Sequence, residues 1–390
     1  MHMMVGRSGP NDLVFISIAV LTLIGGDIVQ CALAALTSPS LFTPVAFSFG
    51  WVAYAFSAIL AVIGDGRLMP APDCAALVIN ADTGYSRTNN SWVLGRLVRD
   101  YDPPETENPE DRHRGLTVAF HYTDHVRRIG VPDRDWVYWS GVLVMLAQLG
   151  VACVPGALYG NWVIFILTGG GTVLALAGGA LPQWAKEKWA ARKVKADARE
   201  VVCLTRGNGD RAVQVIVSDG CGLKLEDVAA ARDAPSPVTV PAAFALAVLW
   251  IVHLLTVEAV ETDAWYSICI GAMGMMQNAV AAGVKRRPGA LGFHFKPEEE
   301  RSIWKEKVFA ALQAAEGIEP GVGLSLLPVF FPGGLRRSEE EWRDRMLEEK
   351  ERRKGERKAQ MSASDDKGTL VSATETPYER QEANGKRLSK

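Results

Sequence analysis

Six long runs of apolar residues punctuate the chain, at 13–36, 41–63, 137–158, 162–181, 240–260 and 264–284, each nearly free of charge. At 1.5 Å per residue, a run of this length crosses a hydrocarbon core about 30 Å thick, so each predicts a transmembrane helix. The runs come in pairs, because the links Thr37 to Ser40, Tyr159 to Asn161 and Glu261 to Asp263 leave room only for a tight turn. The predicted fold class is an all-α integral membrane protein: six transmembrane helices as three antiparallel hairpins (13–63, 137–181 and 240–284), with small mixed α/β segments in the cytosol.

Between the hairpins the pattern shortens. The loop 64–136 offers an extended run at Ala76 to Asn80, a turn at Asp82-Thr83-Gly84 and a further run at Trp92 to Val98, which together predict a small β-hairpin. The loop 182–239 opens as a basic helix, and then Val201 to Leu204 and Ala212 to Val217 flank a Gly207-Asn208-Gly209-Asp210 turn, a strong hairpin pattern. In the juxtamembrane segment 285–335, a helix is expected near Ile303 to Ala315. The apolar run Leu324 to Phe331 is too short to span. In 336–390, Ser338 to Lys354 alternates in charge and predicts a solvated helix, with a polar, disordered tail beyond Gly355.

Composition changes the picture only once it is mapped. Averaged over 390 residues the chain is 48% hydrophobic and 22% charged, with a mean hydropathy of +0.06, the mean of an apolar half and a charged half. Of 42 basic residues, one falls in 1–12, nine in 64–136, ten in 182–239 and 22 in 285–390, leaving none for the spans or turns. The positive-inside rule then places both termini and the long loops in the cytosol, at the plasma membrane or an endomembrane. An acceptor sequence for glycosylation, Asn89-Asn90-Ser91, would report the side of the first loop. A net charge of −2 gives no nucleic-acid signature, and six cysteines without a CxxC suggest neither a disulfide scaffold nor a zinc site. No cofactor and no metal is implied. The expected partners are the bilayer itself, anionic lipid headgroups and proteins docking on the cytosolic segments.

Four groups of residues stand out as candidates. Asp27, the only carboxylate deep in a predicted span, and His253 each sit about 20 Å from the cytosolic end of their runs, with Glu258 beyond His253 and Gln30, Gln148, Gln277 and Asn278 as polar neighbours. Intramembrane ionisable groups are costly and mark proton or ion pathways, although a buried interhelical hydrogen bond explains them as well. Lys186, Lys188, Arg192, Lys193 and Lys195 lie with Trp184 and Trp189 at the mouth of the fourth run, a composition that attracts anionic headgroups or serves as a plain stop-transfer anchor. Gly171, Ala175 and Gly179 form a small-residue stripe for close helix packing. His121 and His125 share a helix-like spacing, with His113 nearby, which is weak evidence for a metal. No nucleophile elbow, phosphate loop or set of histidine boxes is present, so an enzyme is the least supported class.

The stretches Gly25-Gly26-Asp27-Ile28-Val29-Gln30, Phe42-Thr43-Pro44-Val45-Ala46-Phe47-Ser48-Phe49-Gly50-Trp51, Ile63-Gly64-Asp65-Gly66-Arg67-Leu68-Met69-Pro70 and Arg287-Pro288-Gly289-Ala290-Leu291-Gly292 resemble a family of multi-pass membrane proteins from filamentous fungi. The likeness runs from about 12 to 335. It implies membrane class and source, and it transfers no catalytic or binding residue. An interaction or organising role is therefore the first expectation, and a small-solute or proton-linked transporter using Asp27, His253 and Glu258 is the second.

Overall fold

The computed structural model describes residues 25–104, 115–260 and 262–374, with side chains as far as Glu356. It corrects the expected fold class, because the molecule is mixed α/β with a six-stranded sheet. The strands are β1 (Leu77–Asn80), β2 (Ser86–Thr88), β3 (Leu116–Tyr122), β4 (Arg199–Thr205), β5 (Ala212–Asp219) and β6 (Arg301–Lys305), in the order β2-β1-β4-β5-β3-β6. Only β3 and β5 pair in parallel, Val118 opposite Val213 and Phe120 opposite Val215. The three segments expected to fold separately each contribute strands to this one sheet. Its long-range pairings leave no local mark, so each segment by itself reads as too small to form a domain.

Both sheet faces are covered, which is why β4 and β5 read as continuous apolar runs. Val201, Cys203, Val213 and Val215 face a helical layer made of α10 (Val308–Ile318) and α11 (Val322–Phe330), closed by Trp342 of α12 (Arg337–Thr374). The run Leu324 to Phe331 is thus a core helix, and the helix expected near Ile303 divides into β6 and α10. Val202, Leu204 and Ile216 face the opposite way, onto α3 (Trp92–Asp100) and α7 (Leu225–Ala229). Trp92 to Val98, expected as extended, is the inward stripe of α3, buried from Trp92 through Val98. This second core continues without a break into a bundle formed by α1 (Gly25–Leu36), α2 (Gly50–Gly64), α4 (Trp136–Tyr159), α5 (Val163–Gly179), α6 (Pro182–Lys188), α8 (Thr239–Glu258) and α9 (Ala264–Gly283).

Among the described residues, α4 and α8 are long and apolar enough to cross a membrane, or three segments if α5 and α6, bent by 41°, count as one span. The six-span expectation fails for local reasons. Residues 13–24 lie outside the described residues, and α1 itself is a short apolar helix ending at Leu36. The run 41–63 divides into a non-helical stretch through Ser48 and the 15-residue α2. In α9, Gln277 and Asn278 dilute a 20-residue helix.

The bundle is packed with its small and polar residues inward. Gln148, Thr168, Gly171, Ala175, Ser267 and Asn278 are buried, while Leu143, Leu146, Phe244, Val248, Val252 and Leu255 are exposed. A water-soluble bundle shows the opposite pattern. Exposed aromatic residues mark both ends: Trp136 and Trp139 at the sheet end, and Tyr159, Trp162 and Trp265 at the far end. Trp139 and Tyr159 are twenty residues apart on α4, or about 30 Å.

Candidate functional site

Two features organise the polar chemistry of the bundle. The first is the non-helical segment after α1. Thr43 to Phe49 is buried among helices, where every backbone N–H and C=O needs a partner. Asn278 on α9 supplies two at once, accepting from the Ala46 N–H at 3.1 Å and donating to the Ala46 carbonyl at 3.0 Å. Gln148 on α4 donates to the Phe47 carbonyl at 2.8 Å, Trp51 Nε1 donates back to Ala46, and Thr43 donates to the Gly179 carbonyl. Glycines admit the segment. A Cβ at Gly274 would overlap the Phe47 carbonyl, and one at Gly171 would come within 2.7 Å of the Phe47 ring.

The small-residue stripe therefore borders the irregular segment as well as α8. Gly171 lies against Phe47 and His253, Ala175 is buried, and Gly179 lies against Thr43 and Leu33, so Gly171 and Gly179 both border the irregular segment. The stripe runs along α5 without interrupting it. The unwound backbone is the stretch between α1 and α2.

The second feature is a set of buried cations where the bundle meets the sheet layer. Lys188 is 1% exposed, its Nζ donating to the carbonyls of Ala35 and Thr37 at 3.2 Å each and lying over the Trp92 and Trp189 rings. Arg286 donates to the Ala35 carbonyl and grips Asp135, the N-cap of α4, with two bonds of 2.7 and 2.8 Å. Arg96 of α3 donates to the carbonyls of Ala282 and Val284 and pairs with Asp100 at 3.3 Å. All three cations sit at helix C-termini, where orphan carbonyls and the macrodipole favour positive charge. Together they fix α1, α3, α4, α6 and α9 in one body.

This cluster also reverses the first hairpin. The pairing of apolar runs predicts the turn Thr37 to Ser40 on the side opposite the basic loops, yet Thr37 bonds Lys188, and so it lies at the sheet end. The other two turns meet at the far end, where Asn161 donates to Thr262 at 3.3 Å and to Asp263 at 3.0 Å.

The candidate relay residues are dispersed. Asp27 is exposed on α1, and Glu258 is exposed at the end of α8. Gln30 donates to the Leu68 carbonyl, and Gln277 donates to Ser140. His253 is buried between Phe47 and Trp250, and its Nε2 has no hydrogen-bond partner among the described residues. None of the five bonds another.

The basic stretch separates as well. Lys186, Lys193 and Lys195 are exposed, Lys188 points inward, and Arg192 is exposed but holds Asp227 through bonds of 2.6 and 3.0 Å. That pairing keeps the Asp227 carboxyl below the usual carboxylate range. His121 lies on β3 and His125 in the following loop, so the spacing is not helical, and His113 lies outside the described residues. Burial between Tyr101 and Phe295 lowers the pKa of His121 to about 4. Among the described residues no group of three or more His, Cys, Asp or Glu could hold a metal.

Arg96 and Arg286 carry no sequence signal of their own. Basic residues beyond an apolar run read as a stop-transfer flank whether they point to water or turn inward to a helix end. The fold and site define a mixed α/β protein with an apolar, aromatic-belted helical bundle; no family model, curated protein or solved structure matches the chain.

Proposed function

We propose that the bundle is embedded in a bilayer through α4, α8 and the bent α5–α6 pair, with α9 returning the chain to the sheet side, and that the sheet module stands on the cytosolic side as a docking platform with an organising role. The supporting observation is the assembly of the sheet. β3 precedes α4 and β4 comes after α6; β5 precedes α8 and β6 comes after α9, and all four strands share one sheet. Each helical segment thus leaves the sheet and returns to it, as a membrane excursion must. The apolar exposed surface and the belt spacing of about 30 Å fit a hydrocarbon core. The basic residues concentrate on the sheet side, which favours the cytosol.

The interaction role is favoured over transport and catalysis by the cavities. Among the described residues, a cleft of about 110 Å³ and one of about 10 Å³ lie at the junction of bundle and sheet. A small-molecule site is typically about 300 Å³ or larger. A transport reading rests on His253 alone, whose unpartnered Nε2 lies near Gly171. Proteoliposomes holding the full chain test the choice. We expect no proton or ion flux above that of empty vesicles, and no effect of Asp27→Asn. Flux that His253→Ala abolishes would replace the organising role with transport.

A further inference from the structure

From the cleft at the sheet end of the bundle we infer a binding site for the phosphate of a membrane phospholipid headgroup, centred on Arg134. The inference rests on the bilayer reading above. The cleft, of about 110 Å³, lies between the turn after α1 and the first turn of α4, and it has room for a group of several heavy atoms. Its charges are unequally engaged. Arg286 is committed to Asp135 and the Ala35 carbonyl, and Asp133 is held by Arg127 at 3.1 Å. Arg134 is exposed, lies over the Tyr138 ring, and has no carboxylate within ion-pair distance among the described residues. It is the cation of the cleft left for an external anion. Ser38 and Ser40, hydrogen-bonded to each other at 2.6 Å, form the opposite wall.

The surroundings specify a lipid and not a free anion. Leu41 is 77% exposed and Phe42 39% exposed beside the serine wall, and Val131 is exposed on the other side. Trp136 and Trp139, the aromatic belt at this end, lie just beyond Arg134 along the chain. The cleft therefore sits at headgroup depth, with apolar side chains placed for acyl chains and a guanidinium placed for phosphate. This site is separate from the basic stretch after α5, which sends Lys188 inward, commits Arg192 to Asp227 and leaves Lys186, Lys193 and Lys195 exposed.

The test uses the full chain in mild detergent and measures affinity for a fluorescent phosphatidylserine, alongside Arg134→Gln and the control Lys307→Gln, an exposed cation at the start of α10 in the sheet module. A lost charge-assisted hydrogen bond weakens binding about tenfold or more, so Arg134→Gln should show that loss and Lys307→Gln should not. Equal affinities in all three proteins, or equal losses in both variants, would overturn the site. Displacement of the lipid by millimolar inorganic phosphate would overturn the lipid assignment in favour of free phosphate. Carbonate extraction separates this inference from the bilayer reading: a protein released by carbonate refutes the embedding, whereas a protein retained with an unchanged Arg134→Gln variant refutes only the cleft.

Discussion

Asn278→Leu removes the side chain that serves both the donor and the acceptor of Ala46 while nearly conserving volume. The Ala46 carbonyl keeps its bond from Trp51, so its loss is small. The Ala46 N–H loses its acceptor in a site from which water is excluded. A stranded buried donor costs about 1–3 kcal/mol. A side-chain hydrogen bond that is merely lost between membrane helices averages about 0.6 kcal/mol, so a measured loss above about 1 kcal/mol identifies the stranded backbone group and not a missing contact. The assay is unfolding of the full chain in mixed micelles with increasing sodium dodecyl sulfate, compared with Leu146→Ala, whose side chain is 62% exposed on the bundle surface. The control should unfold within about 0.5 kcal/mol of wild type. An Asn278→Leu variant as stable as the control would refute the account of the irregular segment.

Gly274→Ala forces a methyl group onto the Phe47 carbonyl and should cost about 1–3 kcal/mol or prevent folding, whereas Gly283→Ala, with open space around it, should be neutral; the same titration checks both. Arg286→Met leaves Asp135 without its cation in a largely buried site and should cost about 3 kcal/mol, while Arg337→Met, on an exposed pair, should cost less than about 1 kcal/mol. His121 titrates near 4 when folded against about 6.5 when unfolded, because burial outweighs the half-exposed Glu300 at 3.3 Å. The unfolded chain binds the extra proton first, so stability is full above pH 6.5 and falls by up to about 3 kcal/mol as pH drops to about 4. His121→Phe should flatten that window in thermal unfolding measured at about pH 4.5 and 7.

The local hairpins are legible in the sequence because their signals are local. Asp82-Thr83-Gly84 and Gly207-Asn208-Gly209-Asp210 mark the turns of β1–β2 and β4–β5, although the second strand of the first hairpin is Ser86–Thr88 and not the expected Trp92 to Val98. The sheet that unites them is not legible, since pairing Val118 with Val213 depends on chain segments separated by α4 and α5. Hydropathy finds the apolar runs but not their conformation. Phe42 to Phe49 is as apolar as a helix, and the partners Gln148, Asn278 and Gly274 that satisfy and admit its unwound backbone lie far along the chain. The polar residues within the apolar runs are real constraints, but three of them, Gln30, Gln148 and Asn278, satisfy backbone instead of joining Asp27. Burial of Lys188 is hidden by its neighbours, because Lys186 and Lys195 in the same stretch are exposed.

The most direct test of the central claim is a glycosylation map of the three sheet-forming segments and the two far turns. The natural acceptor Asn89 is 2% exposed and bonded to Ser91, so a glycan there would oppose folding and the map needs engineered sites. Acceptors placed in lengthened linkers at Gly84, Gly209 and Gly334 should all remain unmodified, while one at Gly160 in the α4–α5 turn should be glycosylated. A split among the three sheet-side acceptors would contradict the account, since strands on opposite sides of a membrane cannot share one sheet.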